Sequence, residues 1–137
     1  MSQLQPGITR EQSFTVTHPM TAASIFEITP TPGVRDMPPV WSTPDMISKM
    51  ELVCAALVGP LLPEGHITVG ASNDVNHLAA TPEGQTVRVA ATLSSVDGRK
   101  LTFAVDAFDQ REKVGQGIHV RFIVDRAKFA QRLAEKG

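Results

Sequence analysis

The sequence predicts an α+β fold in which a curved antiparallel sheet wraps around one long central helix. Three observations carry that prediction. Residues 50–62 are oily almost without interruption, with Glu51 as the only charge, and a helix apolar on every side has to be covered on every side. Beyond it, four runs alternate apolar and polar residues with period two, the pattern of strands. Turn signals separate those runs, above all Asp97-Gly98, and hairpin connections make neighbouring strands antiparallel.

Taken in order, residues 9–17 read as a first strand with Phe14 and Val16 on one face. Residues 31–41, TPGVRDMPPVW, are a loop by their prolines and glycine. Its length, and its apolar Val34, Met37, Val40 and Trp41, suit a cover over a binding pocket. Thr43, Pro44 and Asp45 open the helix as N-cap, first-turn proline and acidic residue at the positive end. The helix runs over 44–58 and stops at Gly59-Pro60. Residues 66–77 form a strand with Ile67, Val69, Ala71, Asn73, Val75 and His77 on the face toward the helix. A turn at 81–84 leads to inward rows at Val87, Val89, Ala91 and Leu93, then at Leu101, Phe103, Val105 and Ala107. The last strand covers 114–124, where Gly115 and Gly117 mark a bulge or a close backbone approach. A short amphipathic helix closes the chain.

The 137 residues fit one domain, 1–137, and a 42% hydrophobic share supplies its core. Thirteen Lys+Arg against fourteen Asp+Glu leave a net charge of -1, so nothing favours a nucleic-acid or anionic-membrane partner. One cysteine, Cys54, allows no internal disulfide. The first residues lack an apolar signal region, and no apolar run is long enough to span a bilayer. The expected location is cytoplasmic. No phosphate loop, metal-ligand spacing or G-x-S-x-G elbow is present, so no cofactor and no metal is expected.

Glu51 raises the chemical question, because a carboxylate in an apolar helix needs a partner or a path to water. At 100° per residue it shares a face with Ile47, Cys54, Ala55 and Val58, and Lys49 lies nearly opposite. Its partner comes from elsewhere: His77, whose strand parity turns it toward the helix, or a structural arginine such as Arg121. An acid beside an imidazole is equipped for proton transfer. The Thr43 hydroxyl caps the helix or touches substrate, and free N–H groups of that helix end could bind a developing oxyanion. Gly70 marks a bulge or lets a carbonyl approach the strand. His18 and His66 flank turns, His119 falls on the opposite parity to Val120, and Cys54 reads as inert core.

Thr43, Glu51 and His77, with Gly70 and Arg121, in the stretches STPDMISKMELVCAALVGPLLPEG, NHLAATPEG and GQGIHVRF, resemble the hot-dog-fold thioesterases of the fluoroacetyl-CoA thioesterase type. The resemblance covers most of the chain. It implies a hot-dog fold paired into a homodimer, an active site at the subunit interface, and hydrolysis of a small acyl-CoA to the acid and CoA. It implies Thr43, Glu51 and His77 as the catalytic set, with Gly70 and Arg121 holding the acyl or thioester group. One departure is Met37, which stands where the fluoroacetyl-specific enzymes look to carry a phenylalanine gate; a flexible, non-aromatic side chain there favours general small-acyl activity. The rival expectations are a ligand-binding protein of the same fold without turnover and a hydratase of enoyl thioesters.

Overall fold

The computed structural model describes residues 3–137. Within the described residues lie five strands, β1 (Thr9–Thr15), β2 (His66–His77), β3 (Thr86–Asp97), β4 (Lys100–Phe108) and β5 (Lys113–Asp125), three α-helices, α1 (Ala22–Ile28), α2 (Thr43–Val58) and α3 (Arg126–Lys136), and two short 3-10 turns at His18–Met20 and Gly59–Leu61. The strands form one sheet in the order β1-β3-β4-β5-β2, every pair antiparallel. β2 therefore ends the sheet and has one open edge.

α2 lies against the inner face of this sheet. Met46, Met50, Val53, Cys54 and Val58 are buried on it, facing the fully buried rows Val87–Leu93 of β3 and Leu101–Ala107 of β4. Each large apolar side chain taken from water there contributes about 1.5–3 kcal/mol. The rows predicted on β3 and β4 are the rows observed, and the hairpin between them turns at Gly98, whose φ of 59° suits a residue without Cβ. α2 is not covered all round. Thr43, Pro44, Ser48 and Leu52 stay exposed along one side, Leu52 by half.

Four features depart from the expectations. The N-cap of α2 is Ser42, whose hydroxyl accepts from the Asp45 N–H; Thr43 is already helical. α1, capped by Thr21, adds a helix before the loop, in a stretch to which no element is assigned from sequence. In β2 the register slips between Gly70 and Ser72, so Ala71 is an extra residue and the strand changes face there. Below the bulge Thr68 and Gly70 turn inward, opposite Ile123 and Arg121, while Ile67 is left 38% exposed. Above it Asn73, Val75 and His77 turn inward as expected, opposite His119, Gly117 and Gly115.

The fourth departure is β5, which is inverted. Its apolar residues Ile118 and Phe122 are exposed, and its inward row is Gly115, Gly117, His119, Arg121 and Ile123. The two glycines are close approaches. A Cβ at Gly115 would run into Met46 of α2, and one at Gly117 would overlap the Asp74 carbonyl of β2. With no Cβ in the way, α2 and β2 both close onto β5, and the polar residues beyond the glycines lie under the helix.

Candidate active site

α2 and β2 run antiparallel along a common seam, and the ionisable residues gather at two places on it. At the N-terminal end of α2, the Thr43 hydroxyl lies 2.7 Å from His77 Nδ1. Because Ser42 does the capping, the Thr43 side chain is free for this contact. The His77 ring stands edge-on to the buried Trp41, centroids 6.2 Å apart at 81°. Trp41 is fixed in turn by its Nε1–H donating to Asp45. Burial lowers the His77 pKa below its ordinary 6.5, so the ring is neutral at pH 7 and Nδ1 can accept the Thr43 proton. Its Nε2 is buried without a hydrogen-bond partner among the described residues.

The same helix end offers less to an oxyanion than expected. Pro44 has no N–H, Asp45 N–H goes to the Ser42 hydroxyl and Met46 N–H to the Ser42 carbonyl. Of the first turn's donors only the Thr43 N–H remains.

Two cavities meet at Thr43. One of about 360 Å³ is lined by Met37, Trp41, Thr43, His77 and Leu78. The other, about 350 Å³, is bounded by Ile25, Phe26, Val34, Met37 and Thr43. Met37 and Thr43 border both. The proline-rich loop thus lies over the site, and α1 supplies a wall that the sequence reading did not contain. Asp36 holds a φ of 52° in this loop, a left-handed conformation that Asp tolerates better than most residues. Trp41 is core rather than cover, 1% exposed.

About two turns along α2, Glu51 sits in a charged network. Asn73 Nδ2 donates to its Oε2 at 2.9 Å, and Arg121 Nη1 lies 3.6 Å from its Oε1. A Cβ at Gly70 would be 3.0 Å from the same Oε1, so the glycine makes room for the carboxylate. Arg121 is itself nearly buried, donating from Nε to the Thr68 hydroxyl at 2.8 Å and from Nη2 to the Thr68 carbonyl at 3.0 Å. A shallow cavity of about 290 Å³ opens beside Glu51, Leu52, Ala55 and Arg121. Cys54 lies beneath, where burial pushes its thiol up to about 12, an unreactive state.

The structure thus joins Thr43 to His77, and Glu51 to Arg121 and Gly70. It does not join Glu51 to His77. Eight helical steps lead from Thr43 to Glu51, about 12 Å of rise, and the partner of Glu51 is the arginine. Asn73 and His119 belong to the Glu51 network and were given no role by sequence. Among the described residues no group of three or more His, Cys, Asp or Glu could hold a metal ion, and no helix is long and apolar enough to cross a membrane.

Comparison with known proteins places the family and the fold. The model of the FlK family, fluoroacetyl-CoA-specific thioesterase, matches residues 16–127. Over 105 residues the chain is 37% identical to the fluoroacetyl-CoA thioesterase of Streptantibioticus cattleyicolor, covering 77% of this chain and 76% of that protein. A crystal structure of FlK carrying a phenylalanine-to-alanine substitution superimposes with a TM-score of 0.90 at 32% identity, covering 98% of each chain. A threonine-to-alanine variant of FlK bound to fluoroacetate gives a TM-score of 0.90 at 31% identity, over 98% and 99% of the two chains. A thioesterase superfamily member from Thermus thermophilus gives 0.84 at 26% identity, over 99% and 97%. The fold is the hot-dog fold.

Proposed function

The chain belongs to the fluoroacetyl-CoA-specific thioesterase family, and from that premise we propose that it hydrolyses the thioester of a small acyl-CoA in an active site shared by two copies of the chain. The observation that carries the reading is the 2.7 Å contact between the Thr43 hydroxyl and a His77 held neutral by burial. His77 Nδ1 takes the hydroxyl proton as the Thr43 oxygen adds to the thioester carbonyl. The tetrahedral centre collapses, the C–S bond breaks, and His77 returns its proton to the departing CoA sulfur. Water then adds to the Thr43 ester, a carboxylate takes one of its protons, and the free acid leaves as the Thr43 oxygen is reprotonated.

Glu51 is the carboxylate for the second step, and the 12 Å between it and Thr43 within one chain argues for a homodimer. β2 has an open edge, and the uncovered side of α2 runs beside it. A two-fold axis that pairs β2 with its copy antiparallel covers both surfaces, and such a contact is isologous. Antiparallel pairing sets the Thr43–His77 end of one seam against the Glu51 end of the other. Glu51 of the partner subunit then faces Thr43, with Arg121 and Gly70 of the partner subunit holding the acyl group. FlK is named for fluoroacetyl-CoA, and its solved structures include a complex with fluoroacetate and CoA. In this chain Met37 borders both cavities at Thr43, and its flexibility supports a broader range of small acyl groups.

Thiol release measured across a panel of small acyl-CoA esters, with enoyl-CoA absorbance followed in parallel, tests the reading. Release of CoA from at least one saturated short acyl-CoA is expected. Loss of enoyl absorbance without thiol release would make the protein a hydratase, and binding without either would make it a ligand-binding member of the fold.

A further inference from the structure

His119 is fully buried, lies under α2, and takes no direct part in the chemistry described above. Its surroundings fix its protonation. Nδ1 is 2.9 Å from the Ser72 carbonyl, which can only accept, so Nδ1 carries the proton. Nε2 is 3.2 Å from Arg121 Nη1, which can only donate, so Nε2 carries a lone pair. The ring stacks on Phe103 at 27° and 6.2 Å between centroids, which fixes its plane. A second proton on Nε2 would set two donors against each other.

This imidazole ties the β2 bulge to the arginine. The register slip at Ala71 leaves the Ser72 carbonyl available to His119, and His119 in turn holds one arm of the guanidinium. Thr68, on the other side of the bulge, holds Nε and Nη2. The guanidinium is thereby pinned at three of its nitrogens, and Nη1 is left facing Glu51 across 3.6 Å. Burial is the leading influence on the ring and lowers its pKa below the ordinary 6.5; the hydrogen bond to the Ser72 carbonyl and the Glu51 charge of α2 oppose it, and the Arg121 charge of β5 acts with it.

We propose that His119 is a positioning residue of the thioesterase site: locked in its Nδ1–H tautomer between the Ser72 carbonyl and Arg121, it sets the direction in which the guanidinium meets Glu51 and the substrate. Nothing else in the inward row of β5 can supply that acceptor, since its other members are glycines, Arg121 itself and Ile123. The inference rests on the proposed hydrolysis for its kinetic effects, and on geometry alone for the tautomer.

Two measurements on the full-length protein test it. Nitrogen-15 NMR of the histidine rings at pH 7 should show His119 neutral with its proton on Nδ1, the minority form of free imidazole; assignment comes from the spectrum of His119→Gln. A proton on Nε2, or a charged ring, would overturn the proposal whether or not the protein cleaves any acyl-CoA. Kinetically, His119→Phe keeps the stacking plane and removes both polar atoms. It should lower kcat by about 10-fold with little change in KM, the scale of one lost hydrogen bond to a charged group. His119→Gln, whose amide oxygen reaches the Nε2 position, should recover most of that loss. Equal kcat in the Phe variant and the wild type, or a Gln variant no better than the Phe variant, would reduce His119 to packing. If His119→Phe fails to fold, the Gln variant and the tautomer decide the matter.

Discussion

The two ends of the α2–β2 seam are built differently. At the Thr43 end a single neutral hydrogen bond joins a hydroxyl to an imidazole, and a loop and two cavities surround it. At the Glu51 end five side chains and two carbonyls form one network across three elements, nearly every polar atom with a stated partner. A group that must gain and lose a proton is left loosely held and uncharged. At the Glu51 end the nearly buried Arg121 guanidinium, a permanent charge under the helix, is held from several sides, because a buried charge left without partners is strongly destabilising.

Breaking the sparse end should cost the most. His77→Ala removes the base from Thr43, and kcat should fall by about 10³-fold, within the usual range for a lost general base. The charged end comes next. Glu51→Gln keeps the shape and the Asn73 side of the network, and kcat should fall by at least ~100-fold. The double variant should be little slower than His77→Ala alone, because residues that act as one unit are not additive. Thermal melts should show all three folded, and a folded Glu51→Gln enzyme with wild-type thiol release would return Glu51 to a structural role.

Gly70→Ala gives a finer cut. Its Cβ would lie 3.0 Å from Glu51 Oε1 and 3.4 Å from Arg121 Nη1, so the carboxylate has to shift. Turnover should drop about 10-fold, an effect in keeping with a misplacement of an ångström or less. Stability should change little, because the displaced atom is the end of a half-exposed side chain. Unchanged kcat in Gly70→Ala would mean that the position of the carboxylate is not critical.

pH separates the ends by another route. His77 and His119 both have folded-state pKa values lowered from 6.5, desolvation being the leading cause in each. The unfolded chain therefore binds protons first as pH falls. The stability these rings contribute is present above pH 6.5 and is lost as pH drops from there through their folded-state values. The melting temperature of the wild type should decline below pH 6.5, and less steeply in His119→Gln. An identical decline in that variant would exclude a contribution from His119.

The smallest expected effect lies at the loop. Met37→Phe should shift relative rates among acyl-CoA esters by a few-fold, below the roughly 10–200-fold that one methylene is worth in a closed apolar pocket, because Met37 is 40% exposed. Melting should not move, since Met37 is 40% exposed. An unchanged acyl profile would remove Met37 from the pocket.

Much of this architecture was legible in the sequence because it rests on period and turn chemistry. The rows of β3 and β4, the Asp97-Gly98 hairpin and the extent of α2 follow from patterns many residues long. What escaped depends on single residues. The extra residue Ala71 sits in a run of small residues, Gly70-Ala71-Ser72, where nothing marks which one leaves the ladder. Without it Ile67 and His77 appear to share a face. In β5 the apolar alternation is real but faces out at Ile118 and Phe122, so His119, on the opposite parity to Val120, is an inward residue. The signal that could have found it is the companion row Gly115, Gly117, His119, Arg121. Paired glycines at period two mark the face that something packs against closely, and that face is the inner one. The cap falls one residue before Thr43, on Ser42, because both types cap helices and serine is the stronger of the two. The choice of Ser42 frees the threonine for His77.

The central claim is that the two ends work together across a dimer, not within one chain. Complementation tests it most directly. Purified His77→Ala and Glu51→Gln proteins, each nearly inactive, are mixed under conditions that exchange subunits, and thiol release is followed on the best wild-type substrate. If each site takes Thr43 and His77 from one subunit and Glu51 from the other, every mixed dimer regains one intact site. Random pairing then restores roughly a quarter of wild-type turnover. If exchange is demonstrated by mass and the mixture stays as inactive as its parents, the site lies within a single chain and the shared-site account is wrong.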